Sequence, residues 1–176
     1  FLDPSRLTKV ATRLDKFNQF FEYDHELCKL DKKQPTLPSP QLKPVLKTVA
    51  LFLKNNKCIQ YGASAYNFFT KGSSFENHIS LVDYEAYSQN AEEDAKELVS
   101  ILSKKYKQGK FKYLPKIQYW KQSDTVNYLV IANMQDTKPR IVANLTYYSN
   151  CMPYIKKDGV RFATIDRIKY KLYQSI

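Results

Sequence analysis

Two neighbouring stretches of the chain decide the fold, Tyr61-Gly62-Ala63-Ser64-Ala65-Tyr66-Asn67 and Leu81-Val82-Asp83-Tyr84-Glu85-Ala86-Tyr87. The first is a turn of small residues that follows a short apolar run and leads into a predicted helix. The second is an apolar run with acidic residues at alternate positions. Because side chains two apart on a β-strand point to the same face, a strand over 79–87 would aim the carboxylates of Asp83 and Glu85 at one place.

The turn and the acidic pair together are typical of phosphate and metal chemistry. Gly62 tolerates backbone angles that other residues resist, and the amides that follow it, with the Ser64 hydroxyl, would hold a β- or γ-phosphate at a helix N-terminus. Gly62, Ala63 and Ser64 are therefore candidate nucleotide-binding residues. Asp83 and Glu85 are candidate catalytic residues and magnesium ligands, since Mg²⁺ prefers carboxylate oxygens. The alternatives are a tight turn in which Ser64 caps the helix, and a solvated strand face.

A third ligand is expected from the strand predicted over 140–148. Strict alternation places Val142, Asn144, Thr146 and Tyr148 on one face of that strand. Asn144 stands where an inward polar ligand is expected, and its amide offers one neutral carbonyl oxygen. We therefore predict that Asn144 completes the catalytic set with Asp83 and Glu85.

The remaining pattern predicts one α+β domain with an N-terminal appendage. The chain has 176 residues, of which 43% are hydrophobic and 14% aromatic, so it can bury a core. Residues 1–43 read as an amphipathic helix and a proline-rich connector, and 44–176 as a domain with a small mixed sheet packed by helices. The predicted helices cover 7–30, 44–55, 64–69, 90–106 and 165–176, and the predicted strands cover 58–61, 79–87, 126–134, 140–148 and 160–163.

The net charge of +11 favours a polyanionic partner, although a solubilising surface is the alternative. Residues 104–121 interleave lysines with aromatic side chains, as RNA-binding surfaces do. Lys110, Lys112 and Lys116 are the candidate RNA-binding residues. The competing interpretation is a solvated loop whose aromatic side chains fill the core. No apolar run is long enough to span a bilayer, so no membrane partner is expected.

Several short motifs together resemble one family, the poly(A) polymerase catalytic subunits of large DNA viruses. Residues 59–67 resemble that family's Tyr-Gly-Gly-Thr-Ala-x-Asn loop, residues 83–88 its Asp-Tyr-Asp strand, and residues 142–147 its Val-Ala-Asp-Ile-Thr-Tyr strand. The helix at 90–95 and the segment 159–167 are similar to the parts that accompany them. The resemblance covers residue 44 to the C-terminus.

The resemblance implies a nucleotidyltransferase fold that uses Mg²⁺ and ATP to extend RNA 3′ ends with adenylate. It implies that Gly62 and Ser64 contact the triphosphate, that Asp83 and Glu85 bind metal, and that Asn144 occupies the third acidic position. The chain departs from the family at this site, because Ala63 replaces a glycine and Glu85 and Asn144 replace aspartates. Three unfavourable changes at one site predict a catalytically impaired copy.

Three functions are consistent with the sequence. The first is a catalytically impaired poly(A) polymerase-like domain that acts as a structural or RNA-binding subunit, in a homo- or hetero-oligomer with an active polymerase subunit. The second is an active Mg²⁺-dependent polynucleotide adenylyltransferase. The third is a basic RNA-binding module without a nucleotide site. The absence of a signal peptide, free cysteines without metal-site spacing, and the family resemblance predict an intracellular location, in the cytoplasm or in virions and viral factories.

Overall fold

The computed structural model describes residues 8, 9, 12, 13, 16, 40–73, 78–117, 126–135, 138–149 and 151–168. The chain divides into two compact units, Phe1–Thr36 and Leu37–Ile176. In the first unit, the described residues are helical, as the predicted helix over 7–30 requires at those positions. The rest of that helix, and the proline-rich connector as far as residue 39, lie outside the described residues.

The second unit alternates helices and strands and ends its described part with helical residues 165–168. Its elements in chain order are α1 (Leu42–Asn55), β1 (Ile59–Tyr61), α2 (Gly62–Thr70), β2 (Tyr84–Ser88), α3 (Ala91–Lys105), β3 (Gly109–Ile117), β4 (Val126–Met134), β5 (Arg140–Tyr147), β6 (Tyr154–Lys157) and β7 (Val160–Ala163).

The strands form one seven-stranded mixed sheet in the order β3-β4-β5-β2-β1-β7-β6. Strands β2 and β5 are parallel, as are β1 and β7, and the other neighbours are antiparallel. The predicted α+β class, with a mixed sheet packed by helices, is therefore confirmed. None of the helices in the described part of the chain is long and apolar enough to cross a membrane.

Helices α1 and α3 cover one face of the sheet, which we call the helix face. Their apolar residues recur at helical spacing, and Val45, Val49, Leu53 and Leu98 are fully buried. These side chains pack against Ala86, Val130 and Leu145 of the central strands, among others. A smaller cluster lies on the opposite face, which we call the second face, and it consists of Ile59, Tyr61, Tyr87 and Ala163.

Strand β2 is shorter than the sequence predicts. It begins at Tyr84 rather than Ile79, so Asp83 lies just before the strand and not within it. The cause is a side chain: the Asn67 amide donates to the Ile79 carbonyl (2.7 Å), and the Ile79 amide donates to Asn67 Oδ1 (2.9 Å). Because both backbone groups of Ile79 are occupied by Asn67, they are not available to a neighbouring strand.

Other boundaries also differ from prediction. Helix α2 begins at Gly62, two residues early, and α1 begins at Leu42, before Pro44. Part of the lysine-rich segment is a strand, β3, and not a loop, although its Phe111 and Tyr113 do pack against the core. A bulge in the pairing of β4 with β5 places Val142 beside Ala143 in the helix-face cluster, which breaks the strict alternation predicted for β5.

A polar network joins the start of α3 to strands β1 and β2. Asp94 accepts hydrogen bonds from the Ser88 hydroxyl (2.5 Å) and the Asn56 amide (3.2 Å), and the Cys58 thiol lies 3.6 Å from the same carboxylate. Burial, with the Asp94 charge adding to it, raises the pKa of the Cys58 thiol from 9.0 to about 12. Cys58 is therefore a neutral, structural thiol.

We predict that Cys151 reacts with thiol reagents much faster than Cys58. Iodoacetamide at pH 8 should label the exposed Cys151 rapidly and leave buried Cys58 unmodified, because only the thiolate reacts and Cys58 remains protonated. Peptide mass spectrometry measures both, and unfolding in urea should make Cys58 as reactive as Cys151. Equal labelling of the two cysteines in the folded protein would contradict this environment for Cys58.

Candidate functional site

Gly62 forms the turn between β1 and α2 with a left-handed backbone conformation. Tyr61 is extended (φ −137°, ψ −165°), and Gly62 has φ +64°. A methyl group on Gly62 would overlap the Glu85 carboxylate. The backbone conformation therefore favours glycine here, and any larger residue would also have to push the end of the Glu85 side chain aside.

Glu85 and Asn144 come together because of strand register. Glu85 pairs with Tyr61 of β1 on one side and with Asn144 of β5 on the other. Directly paired residues point to the same face, so the three side chains form a row across the second face. The register between β2 and β5 joins residues almost sixty positions apart in the sequence, and it places two members of the predicted catalytic set side by side.

Asp83 acts on the same place as Glu85. Burial raises the pKa of the Tyr61 hydroxyl well above its ordinary value, and the charges of Glu85 and, more weakly, Asp83 add to that shift. Both carboxylates therefore lie within electrostatic range of one phenol. Burial also raises the pKa of Asp83 itself above its ordinary value of 3.8. A nearby cation would stabilise the charged form of partly buried carboxylates such as these.

Asn144 presents a buried oxygen that lacks a partner. Its Oδ1 atom is inaccessible to solvent and accepts no hydrogen bond from any residue that the structure describes. A buried carbonyl oxygen without a donor costs free energy, of the order of 1–3 kcal/mol, unless a ligand or ion satisfies it. Its position beside Glu85 makes it a suitable third oxygen ligand.

The residue types of the candidate ligands suit a hard divalent cation. Asp83, Glu85 and the Asn144 amide supply two carboxylates and one neutral oxygen, the ligand types that Mg²⁺ prefers. Within the described ranges, no group of three or more His, Cys, Asp or Glu side chains could hold a metal ion.

Four residues that the sequence did not single out as site residues contact one another beside Glu85 and Asn144. The Tyr61 and Thr146 hydroxyls are hydrogen-bonded (2.8 Å), the Tyr61 and Tyr87 rings lie 4.3 Å apart, and the Arg167 guanidinium lies 5.5 Å from the centre of the Tyr87 ring. Thr146 could have been found, because it shares the Asn144 face in the alternation of β5. Tyr87 could have been found in the same way, because it shares the Glu85 face of β2, whereas Arg167 carried no such signal.

Ser64 lies elsewhere. It is the third residue of α2, and its hydroxyl donates to the Tyr61 carbonyl (3.1 Å), so the alternative in which it caps the helix is wrong. Its side chain lines a cleft on the helix face, together with Gln60 and Tyr84. Ala63 is half-buried at the second position of the helix. The turn thus brings Gly62, but not the Ser64 hydroxyl, to Glu85.

The three candidate lysines of β3 lie on the second face. Lys110, Lys112 and Lys116 are exposed and alternate with Phe111 and Tyr113, which point to the helix face. On this face, one row of paired residues crosses the sheet from β3 to β2. Leu114 of β3 pairs with Leu129 of β4, Leu129 pairs with Asn144 of β5, and Asn144 pairs with Glu85 of β2. The lysines and the acidic pair therefore share one surface, with the lysines at its edge.

The fold is similar to that of a known polymerase structure. No family model and no curated protein matches the chain. Among solved structures, the Megavirus polyadenylate synthase aligns with 99% of this chain and 33% of its own, at 18% identity and a TM-score of 0.58. Two Helicobacter pylori structures, a putative nucleotidyltransferase and JHP933, align with 74% and 76% of this chain, at 14% and 15% identity and TM-scores of 0.43 and 0.41.

These similarities show the fold. Over nearly the whole length of this chain, its fold matches that of the Megavirus polyadenylate synthase, so the two share an α+β fold. The chain spans about a third of the length of that protein and 56% of each Helicobacter protein.

We predict that Gly62→Ala destabilises the protein more than Gly72→Ala. Both glycines have positive φ (+64° and +75°), but a methyl group on Gly72 meets nothing within 4 Å, whereas one on Gly62 overlaps Glu85. Backbone strain should cost each variant about 1–2 kcal/mol of unfolding free energy, and Gly62→Ala should lose more. Urea denaturation measures both. When Glu85 is also replaced by alanine, the extra loss of unfolding free energy caused by Gly62→Ala, relative to Gly72→Ala, should shrink. If that extra loss persists, the Glu85 side chain is not its cause.

Proposed function

We propose that this chain is a poly(A) polymerase-like domain with a weakened nucleotide and metal site, and that it acts as an RNA-binding subunit. The observation that carries the proposal is the position of the Glu85 carboxylate against the Gly62 turn. An active polymerase subunit, a different chain bound in the same oligomer, would then supply the adenylate transfer.

The Glu85 carboxylate opposes the binding of a triphosphate at this turn. A phosphate held at the N-terminus of α2 would approach the Gly62 backbone, where the Glu85 side chain already lies. Two anions at this distance repel each other unless a cation lies between them. By the resemblance, the family has the shorter aspartate here, whose carboxylate lies one methylene further back. The length of the Glu85 side chain is therefore itself unfavourable.

Asn144 weakens the cation that could relieve this repulsion. Asp83, Glu85 and Asn144 are the residues that would hold Mg²⁺. When bound, the ion would neutralise phosphate charge and activate an attacking 3′ hydroxyl. An asparagine in the third position supplies an oxygen but no charge. Two carboxylates therefore bind the ion less strongly than the three that the family resemblance implies.

The second face supports RNA binding. Lys110, Lys112 and Lys116 are exposed at one edge of the sheet, on the face where the row of paired residues from Leu114 of the same strand leads through Leu129 to Asn144 and Glu85. A single RNA strand whose phosphates contact these lysines would lie across the same face as the acidic pair. The charge of +11 is consistent with such a partner.

One observation favours the active enzyme as a second candidate. Within the described part of the chain, nothing donates a hydrogen bond to the buried Asn144 Oδ1, which makes it a candidate third oxygen ligand beside Glu85. If the site is active, the protein should extend an RNA primer with adenylate in the presence of Mg²⁺ and ATP, and Asp83→Ala should abolish the activity. RNA binding without any ATP binding, in the native chain and in its reversion variants, would instead indicate a module without a nucleotide site.

We predict that three reversions together restore Mg²⁺-dependent ATP binding. Ala63→Gly removes a methyl group from the turn, Glu85→Asp withdraws the carboxylate, and Asn144→Asp restores the third charge. The triple variant should bind ATP at least roughly tenfold more tightly than the native chain, as expected for about 1.4 kcal/mol of recovered interaction. Isothermal titration with and without Mg²⁺ measures this. The control is Asp83→Ala in the triple variant, which should remove the gain in ATP affinity. A triple variant that binds ATP no better than the native chain would contradict the proposal that these three residues weaken the site.

We predict that the β3 lysines set the salt dependence of RNA affinity. Replacing Lys110, Lys112 and Lys116 with glutamine should lower the slope of log affinity against log salt by roughly 2, since each phosphate contact to a single strand contributes about 0.7. Replacement of the exposed lysines Lys43, Lys47 and Lys71 changes the net charge equally and is the matched control. Fluorescence anisotropy on a labelled oligoadenylate at several salt concentrations gives both slopes. Equal slopes for the two triple variants would show that the β3 lysines do not contact RNA phosphates.

A further inference from the structure

A cleft of about 440 Å³ opens on the helix face, between α1 and α2. Its floor is formed by strands β1, β2 and β7, and the loop before β2 closes one side. This volume falls within the range of small-molecule sites, which are mostly apolar with a few placed polar groups. The lining residues that carry the argument are Leu51, Lys54, Gln60, Tyr84 and Phe162.

The cleft is separate from the candidate nucleotide site. Gln60 and Tyr84 alternate along their strands with Tyr61 and Glu85, so they project from the opposite face of the sheet. Tyr84 packs against the helix-face cluster, which confirms its side. The two sites share strands β1 and β2 but no lining side chain.

The Gln60 amide is the main polar group of the floor. Gln60 is only 4% exposed and lines the cleft. An amide presents a donor and an acceptor side by side. A ligand edge with a complementary acceptor and donor would pair with this amide.

The walls of the cleft are flat and already in place. The Phe162 ring is stacked on the Phe68 ring, with 4.4 Å between the ring centres and an angle of 1° between their planes. The Asn67 side chain holds the loop at Ile79 through its two hydrogen bonds. A rigid aromatic wall beside an amide suits a planar heterocycle, and a preformed site avoids the cost of ordering.

Lys54 provides the cation at the rim. It lies in the last turn of α1, is exposed, and its side chain packs against Gly159 in the turn between β6 and β7. Contact with this turn keeps the ammonium group at the mouth of the cleft. An anionic substituent on a ligand bound in the cleft would therefore meet Lys54.

We propose that this cleft binds a mononucleotide, with the base edge on Gln60, the base plane beside Phe162 and the phosphate at Lys54. The proposal does not depend on the function proposed above, because it uses neither the acidic pair nor the β3 lysines. A ligand here would contact the backs of the strands that carry Tyr61 and Glu85.

Methyl NMR of the full chain locates the ligand. Titration with AMP in a buffer without Mg²⁺ should shift the methyl signals of Leu51, Leu81 and Val160 saturably. The methyl signals of Leu114 and Ile141, exposed on other parts of the sheet, should stay in place. Shifts at Leu114 and Ile141 alone, or no saturable shift at the cleft, would overturn the proposal.

Two variants test the contacts. Lys54→Gln should weaken AMP binding roughly 3- to 10-fold and leave adenosine binding unchanged, and the exposed Lys47→Gln in the same helix is the control. Gln60→Leu should weaken both ligands by a similar factor, with thermal unfolding as the check on its fold. If Gln60→Leu does not fold, the comparison of Lys54→Gln with Lys47→Gln is decisive. Equal AMP affinity in these two variants would overturn the proposal. Oligoadenylate that binds the cleft more tightly than AMP would also overturn it, because the occupant would then be a base of RNA.

Discussion

The close approach of Glu85 to the backbone of Gly62 is the constraint on which the site depends. Strand β1 has only three residues, and its pairing with β2 ends where the chain turns into α2. A left-handed glycine permits that turn and leaves room for the neighbouring carboxylate. Any other residue at position 62 would displace either the start of α2 or the Glu85 side chain. The geometry of the acidic pair is therefore tied to the shape of one turn.

The sheet separates two kinds of chemistry by alternation. Along β1 and β2, every second side chain projects to the second face, which carries Tyr61, Glu85 and Tyr87, and the others project to the helices. The hydrogen bond between Tyr61 and Thr146 satisfies two buried hydroxyls and links β1 to β5 across β2. That link holds the row in which Glu85 lies between Tyr61 and Asn144. The polar row is thus supported by a packed aromatic layer, whereas the cleft on the helix face is lined by aliphatic, aromatic and polar side chains together.

Local patterns in the sequence predicted the helices well and the strand boundaries less well. The apolar periodicity of α1 and α3 decides their faces, because a helix buries one stripe over several turns. The start of β2 depends on Asn67, twelve residues before Ile79, and no periodicity of the strand itself shows that contact. Strand β3 could have been recognised, since Lys110, Phe111, Lys112 and Tyr113 alternate with a period of two. The parallel pairing of β2 with β5, which brings Asn144 to Glu85, was available only through the resemblance, because residues that pair across such a distance leave no local signal.

Strand β3 ends the sheet order on one side, and that position has a consequence for the folded chain in solution. A nine-residue outer strand offers backbone amides and carbonyls on which another polypeptide can add a strand. Charged side chains along such a strand discourage this addition, because two copies would bring their lysines together. The lysines that suit a polyanion therefore also help to prevent aggregation, and this second role would keep them on the outer strand even in a copy that no longer bound RNA.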